Sequence, residues 1–170
     1  MSESLTIYKL IVLYMLRKVK FPLSYAQISE FILGKEYMTY FSLQTVLSEL
    51  VESEHITVDT KSNTSYYTLT HTGEEALIYF KNRIPRSFRS EIDLYMKENY
   101  QKLKDASSIL SDYYKNTAGE YSVHCRVKEK YTDLIDLTIS VPDEAQAQSM
   151  CLKWNQKCQS IYEFIMKELL

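Results

Sequence analysis

Only three glycines and three prolines occur among the 170 residues. A chain so poor in turn formers has few places to break a helix or reverse a strand, so Pro22, Gly34, Gly73, Pro85, Gly119 and Pro142 punctuate it almost completely. With 45% hydrophobic and 25% charged residues the intervals between them have the balance of a globular protein, long enough for two small domains that each bury a modest core.

The first intervals are helical. Ser4–Arg17 is apolar nearly all round, through Leu5, Ile7, Tyr8, Leu10–Leu16, so this helix is buried on several sides. After Pro22, Ser24 is placed to cap a second helix over Tyr25–Leu33, with Ala26, Ile28, Phe31 and Ile32 inward and Gly34 positioned to end it. Ser42–Ser53 carries Leu43, Val46, Leu47, Leu50 and Val51 at helical spacing, leaving Gln44, Thr45, Ser48, Glu49 and Glu52 outside. Ile56–Thr60 and Tyr66–Leu69 are rich in β-branched and aromatic residues around the turn Lys61-Ser62-Asn63-Thr64, the pattern of a hairpin. Thr72, three residues before Glu75, suggests a capping box for a fourth helix through Phe80. Pro85 then closes a first domain, residues 1–83.

Residues 84–170 read as an α-β-β-β-α unit. Ser87–Ala106 forms a charged amphipathic helix, and three strand-like segments follow. Tyr121, Val123, Cys125 and Val127 alternate with Ser122, His124, Arg126 and Lys128, and Ile135, Leu137 and Ile139 alternate with Asp136, Thr138 and Ser140, so a three-stranded antiparallel sheet is covered on one face only. Pro142 fits the first turn of a helix running from Asp143 to Leu170, whose stripe of Ala147, Cys151, Trp154, Cys158, Ile161 and Ile165 can roof that face.

Three helices, a hairpin and a fourth helix make the order of a winged helix, in which the third helix enters the major groove and the hairpin lies on adjacent backbone. The expected fold is therefore α+β, a winged helix followed by an α/β dimerisation or sensing domain. The run Tyr66-Tyr67-Thr68-Leu69-Thr70-His71-Thr72-Gly73 resembles the second wing strand and following helix of many bacterial winged-helix regulators, which often show Tyr-x-Leu-Thr-x-x-Gly there. Through Leu5–Leu10, Ala26–Ser29 and Leu47–Ser53, and through Val141-Pro142, Cys151, Trp154, Lys157 and Ile161-Tyr162, the whole chain resembles a bacterial family catalogued as a domain of unknown function. That resemblance implies a fold and no residue roles.

On a DNA-binding reading the base-reading surface is Ser42, Gln44, Thr45 and Ser48, whose amide and hydroxyl groups pair with base edges. Lys61, Ser62 and Asn63 reach phosphate from the hairpin, helped by Tyr40, Lys35 and Lys20. Against it stands the charge: residues 1–83 carry eight Lys and Arg against nine Asp and Glu, and the remainder twelve against thirteen. Neither half is basic, and no Arg lies on the third helix, although phosphate contacts ordinarily draw on a cluster of cations. The rival reading is a winged helix used as a protein-interaction module, the two being separated by whether Lys9, Lys18, Lys20, Lys35 and Lys61 gather beside the third helix. A ligand-sensing second domain rests on the polar sheet face alone.

Other chemistries find little support. His55, His71 and His124 are scattered, with no carboxylate or Cys at metal-ligand spacing, and no metal is expected. Cys125, Cys151 and Cys158 lack CxxC spacing and read as reduced, mostly buried thiols. No phosphate-binding glycine loop, GxSxG or HExxH occurs, so neither an enzyme nor a cofactor is expected. The longest apolar stretch, Leu10–Leu16, is too short for a membrane span and no cleavage site follows it, which predicts a cytoplasmic protein without membrane attachment. The all-round apolar first helix and the long terminal stripe want further partners, and a homodimer is expected.

Overall fold

A computed structural model describes residues 2–61, 64–129 and 132–170. Helices and strands are mixed, in two three-stranded antiparallel sheets, and a long helix ends the chain. Two compact units divide at Lys104 and Asp105.

The first unit is built on α1 (Glu3–Arg17), in which Leu10 to Leu16 are all buried, as its all-round apolar character requires. Pro22 leads into β1 (Leu23–Ser24), two residues that pair with Tyr67 and Tyr66. Ser24 then caps α2 (Tyr25–Gly34) by a reciprocal box: its Oγ accepts from the Gln27 N–H at 3.2 Å, and Gln27 Oε1 accepts from the Ser24 N–H at 2.9 Å. α3 (Tyr40–Glu52) buries Leu43, Val46, Leu47 and Leu50. The hairpin of β2 (Ile56–Lys61) and β3 (Thr64–Leu69) completes a sheet in the order β1-β3-β2. α4 (His71–Phe80), one 3-10 turn (Lys81–Arg83) and α5 (Arg86–Ser108) follow.

Most of α5 belongs to this first core through Ile92, Met96 and Leu103. Two tyrosines pin it: Tyr14 donates to Asp93 at 2.8 Å and Tyr37 donates to Glu91 at 2.6 Å, while Tyr37 stacks on Phe88 at 4.6 Å. The division read from Pro85 thus falls within the first unit as packing defines it.

In the second unit β4 (Ile109–Lys115), β5 (Tyr121–Glu129) and β6 (Thr132–Val141) form a sheet in sequence order. α6 (Glu144–Leu169) packs Ala147, Trp154 and Cys158 against Val123, Cys125 and Ile135, the face that the alternation predicts, although Ser122 of the outward set is buried and Ile139 of the inward set is 43% exposed. Trp154 Nε1 donates to the Arg126 carbonyl at 3.2 Å, next to a break in the β5–β6 register at Val127/Lys128.

Several local expectations need correction. The cap of α4 is Thr70, whose Oγ1 accepts from Gly73 N–H at 3.0 Å; Thr72 lies inside the helix. Gly34 is the last residue of α2, and the left-handed residue after it is Glu36, at φ 55°. α3 starts two residues earlier than its apolar spacing suggests, because Thr39 caps it. Pro142 precedes the cap of α6, which is Asp143. β1 carries no periodic signal, being two residues long.

Candidate nucleic-acid interface

Thr39 sets the start of α3. Its Oγ1 accepts from the Ser42 N–H at 3.2 Å and donates to Ser42 Oγ at 3.0 Å, so the expected base reader Ser42 is half-buried and engaged in the cap. One turn further, Gln44, Thr45 and Ser48 are exposed together on one side of the helix. Thr45 Oγ1 donates to the Phe41 carbonyl at 3.0 Å, so its hydroxyl is engaged with the helix backbone.

Two aromatic residues join this surface. Tyr40 meets Tyr25 and Phe41 edge-on, at 6.4 and 5.5 Å between ring centroids. Phe41 is 80% exposed. Position 41 lies before Ser42, where the apolar spacing starts the helix, so the sequence does not place it on this face; the Thr39 cap extends α3 over it, three, four and seven residues from Gln44, Thr45 and Ser48. The Tyr25 hydroxyl is buried without a formed hydrogen bond. Burial raises the Tyr25 hydroxyl above its ordinary value.

The lysines do not assemble into a field of free charge. Lys9 pairs with Glu49 at 2.6 Å, tying α1 to α3, and Lys18 pairs with Asp93 at 2.6 Å. Lys35, expected near phosphate, pairs with Glu91 on α5 at 3.8 Å, and Lys61 with Asp59 on its own strand at 3.1 Å. Lys20 is exposed and has no carboxylate partner among the described residues. Ser62 and Asn63, the expected phosphate contacts of the hairpin tip, lie outside the described residues.

Lys18, Asp93, Met96, Lys97 and Tyr100 line an open cleft of about 350 Å³. Burial by itself would raise the Asp93 carboxyl, but hydrogen bonds from Lys18 and Tyr14 outweigh it and hold the group below the usual carboxylate range. Those two polar groups of the cleft are therefore engaged with each other.

Two histidines meet carboxylates. His71 meets Glu75 at 3.3 Å one turn along α4, and His124 meets Asp136 across the β5–β6 ladder at 2.6 Å. Among the described residues no three His, Cys, Asp or Glu side chains gather to hold a metal ion. The cysteines are free thiols, with Cys125 and Cys158 buried and Cys151 half-buried. Burial, reinforced by neighbouring Cys151, pushes the Cys125 thiol up to about 11, so it is protonated at neutral pH. No described helix is long and apolar enough to cross a membrane.

Fold and surface together define a mixed α and β protein of two compact units, with an exposed aromatic and amide face on α3. The chain belongs to the family described as domain of unknown function DUF4364, which matches residues 8–169. No curated protein and no solved structure matches it.

Proposed function

We propose that the first unit is a winged helix and that the protein is a cytoplasmic DNA-binding transcriptional regulator. The observation that carries this reading is the sheet order β1-β3-β2, with β1 between α1 and α2 and the hairpin after α3. It is the arrangement in which a third helix enters the major groove with a hairpin on adjacent backbone. The exposed side of α3 supports it, since Gln44, Thr45 and Ser48 offer hydrogen-bonding groups to base edges. Glu49, which would repel a polyanion, is neutralised by Lys9.

The test is anisotropy of the purified full-length protein with a pool of fragments from its own genome, across a salt series, with sequencing of what is retained. Enriched sites whose affinity falls steeply with rising salt are expected. No retention at low salt would remove the proposal.

The paired lysines favour a second reading, a winged helix that binds a protein partner through the same face. Exposed apolar side chains on α6, Leu152, Phe164 and Leu169, support a homodimer, in which sparse contacts to a ligand are doubled. Light scattering at high micromolar concentration is expected to give twice the chain mass, and the mass of one chain would exclude the dimer.

A further inference from the structure

The exposed side of α3 carries Phe41, Gln44, Thr45 and Ser48 at i, i+3, i+4 and i+7, and α3 contains no Arg or Lys at any position. That composition is selective in what it can recognise. Guanine is read in the major groove chiefly by Arg or Lys on O6 and N7, adenine by a Gln or Asn amide on N6 and N7, and thymine by apolar contact with its C5-methyl group. The face holds one amide, two groups suited to apolar contact and the Ser48 hydroxyl, which pairs with either base, and it lacks the Arg or Lys that reads guanine.

The surroundings of those side chains sharpen the match. With its hydroxyl bonded to the Phe41 carbonyl, the exposed Thr45 has its methyl group left for apolar contact. Phe41 is braced edge-on by Tyr40, which is itself braced by Tyr25, so the ring is held by its neighbours while 80% of the residue stays open to solvent.

Resting on the DNA-binding reading above, we propose that α3 selects A·T base pairs, with Gln44 on adenine and Phe41 and Thr45 packed on thymine methyl groups. The preference comes from methyl contact and one amide, with no Arg or Lys on α3 to favour guanine.

The experiment uses the full-length protein and a pool of random duplexes about one and a half helical turns long. Retained duplexes are sequenced, and the best is remade with uracil for thymine, which deletes only the methyl groups. Enrichment of A·T pairs is expected, with affinity about four-fold weaker for each contacted methyl removed. In F41A the thymine and uracil duplexes become closer in affinity, and in Q44A the adenine preference relaxes. Both side chains are exposed, so both variants keep the fold, which circular dichroism checks. Retention with G·C enrichment, or equal affinity for thymine and uracil duplexes, overturns the A·T readout and leaves DNA binding standing. Failure to retain any duplex at low salt overturns both.

Discussion

Gly73, in the first turn of α4, lies so close to the backbone of His55 that a Cβ on it would stand 2.0 Å from the His55 carbonyl oxygen. That carbonyl also accepts the Thr70 N–H at 3.1 Å, so it is not free to move away. Gly73→Ala is therefore expected to cost upwards of about 2 kcal/mol, as overpacking against a fixed backbone does. A lower urea midpoint at unchanged slope would show it; an unchanged midpoint would mean that the α4 entry is loose.

Thr70 spans the same junction with its side chain, accepting from Gly73 and donating to the Glu54 carbonyl at 2.7 Å. Thr70→Ala should lose about 1 to 2 kcal/mol, whereas Thr72→Ala, inside the helix, should stay within about 0.5 kcal/mol. Equal losses in thermal melts of the two variants would reject Thr70 as the cap.

Glu36 and Glu54 follow α2 and α3 at φ 55° and 59°, a region where a side chain is strained and glycine is not. Tyr37 and His55 then close back to the carbonyls of Ile32 and Leu50. Glu36→Gly is expected to raise stability by up to about 1 kcal/mol, relief of strain exceeding the added freedom of the unfolded chain. A fall in the melting temperature would contradict this.

Asp93, held below the usual carboxylate range, links α5 to α1 through Tyr14 and Lys18. Such a group stabilises the fold fully above its unfolded value of about 4, and that contribution is lost as pH falls through the lower folded value. The stability difference between wild type and Asp93→Asn should therefore be flat near neutrality and shrink below about pH 4. Tyr14 is raised, by burial first and then by Asp93, so its contribution is lost on the alkaline side, above about pH 10. Denaturant curves at several pH values check both arms, and a difference independent of pH would contradict them.

The single tryptophan, Trp154, is 3% exposed and bonds the Arg126 carbonyl beside the irregularity in the sheet. Trp154→Phe loses that bond and some volume, an expected cost of about 1 to 2 kcal/mol, while Trp154→Ala should cost about 3 to 5 kcal/mol. Circular dichroism in denaturant measures both, and similar losses would show that the hydrogen bond, not the ring, holds α6.

The polar side of α3 was partly legible. Gln44, Thr45 and Ser48 stand out because a 3.6-residue period assigns every apolar position to the core and leaves them outside. Phe41 is hidden because the apolar spacing starts the helix at Ser42, and only the Thr39 cap brings position 41 onto α3. The role of Thr70 was missed because two threonines stand near the start of α4, and only the chain path past Glu54 and His55 distinguishes them.

By itself the sequence determined the order of the elements other than β1, the inward side of Val123 and Cys125 on β5 and of Ile135 on β6, and the apolar stripe of α6. These follow from local rules, in which the scarcity of glycine and proline and the period of hydrophobic residues act within a few positions of one another. Only the tertiary structure decided that Leu23 and Ser24 form a third strand on the hairpin, and that Glu49 is quenched by Lys9. It likewise set Lys35 on Glu91 and fastened α5 to the first unit through Tyr14 and Tyr37. Each of these joins residues far apart in the chain, and a contact of that kind depends on where the whole backbone runs, which no local period encodes.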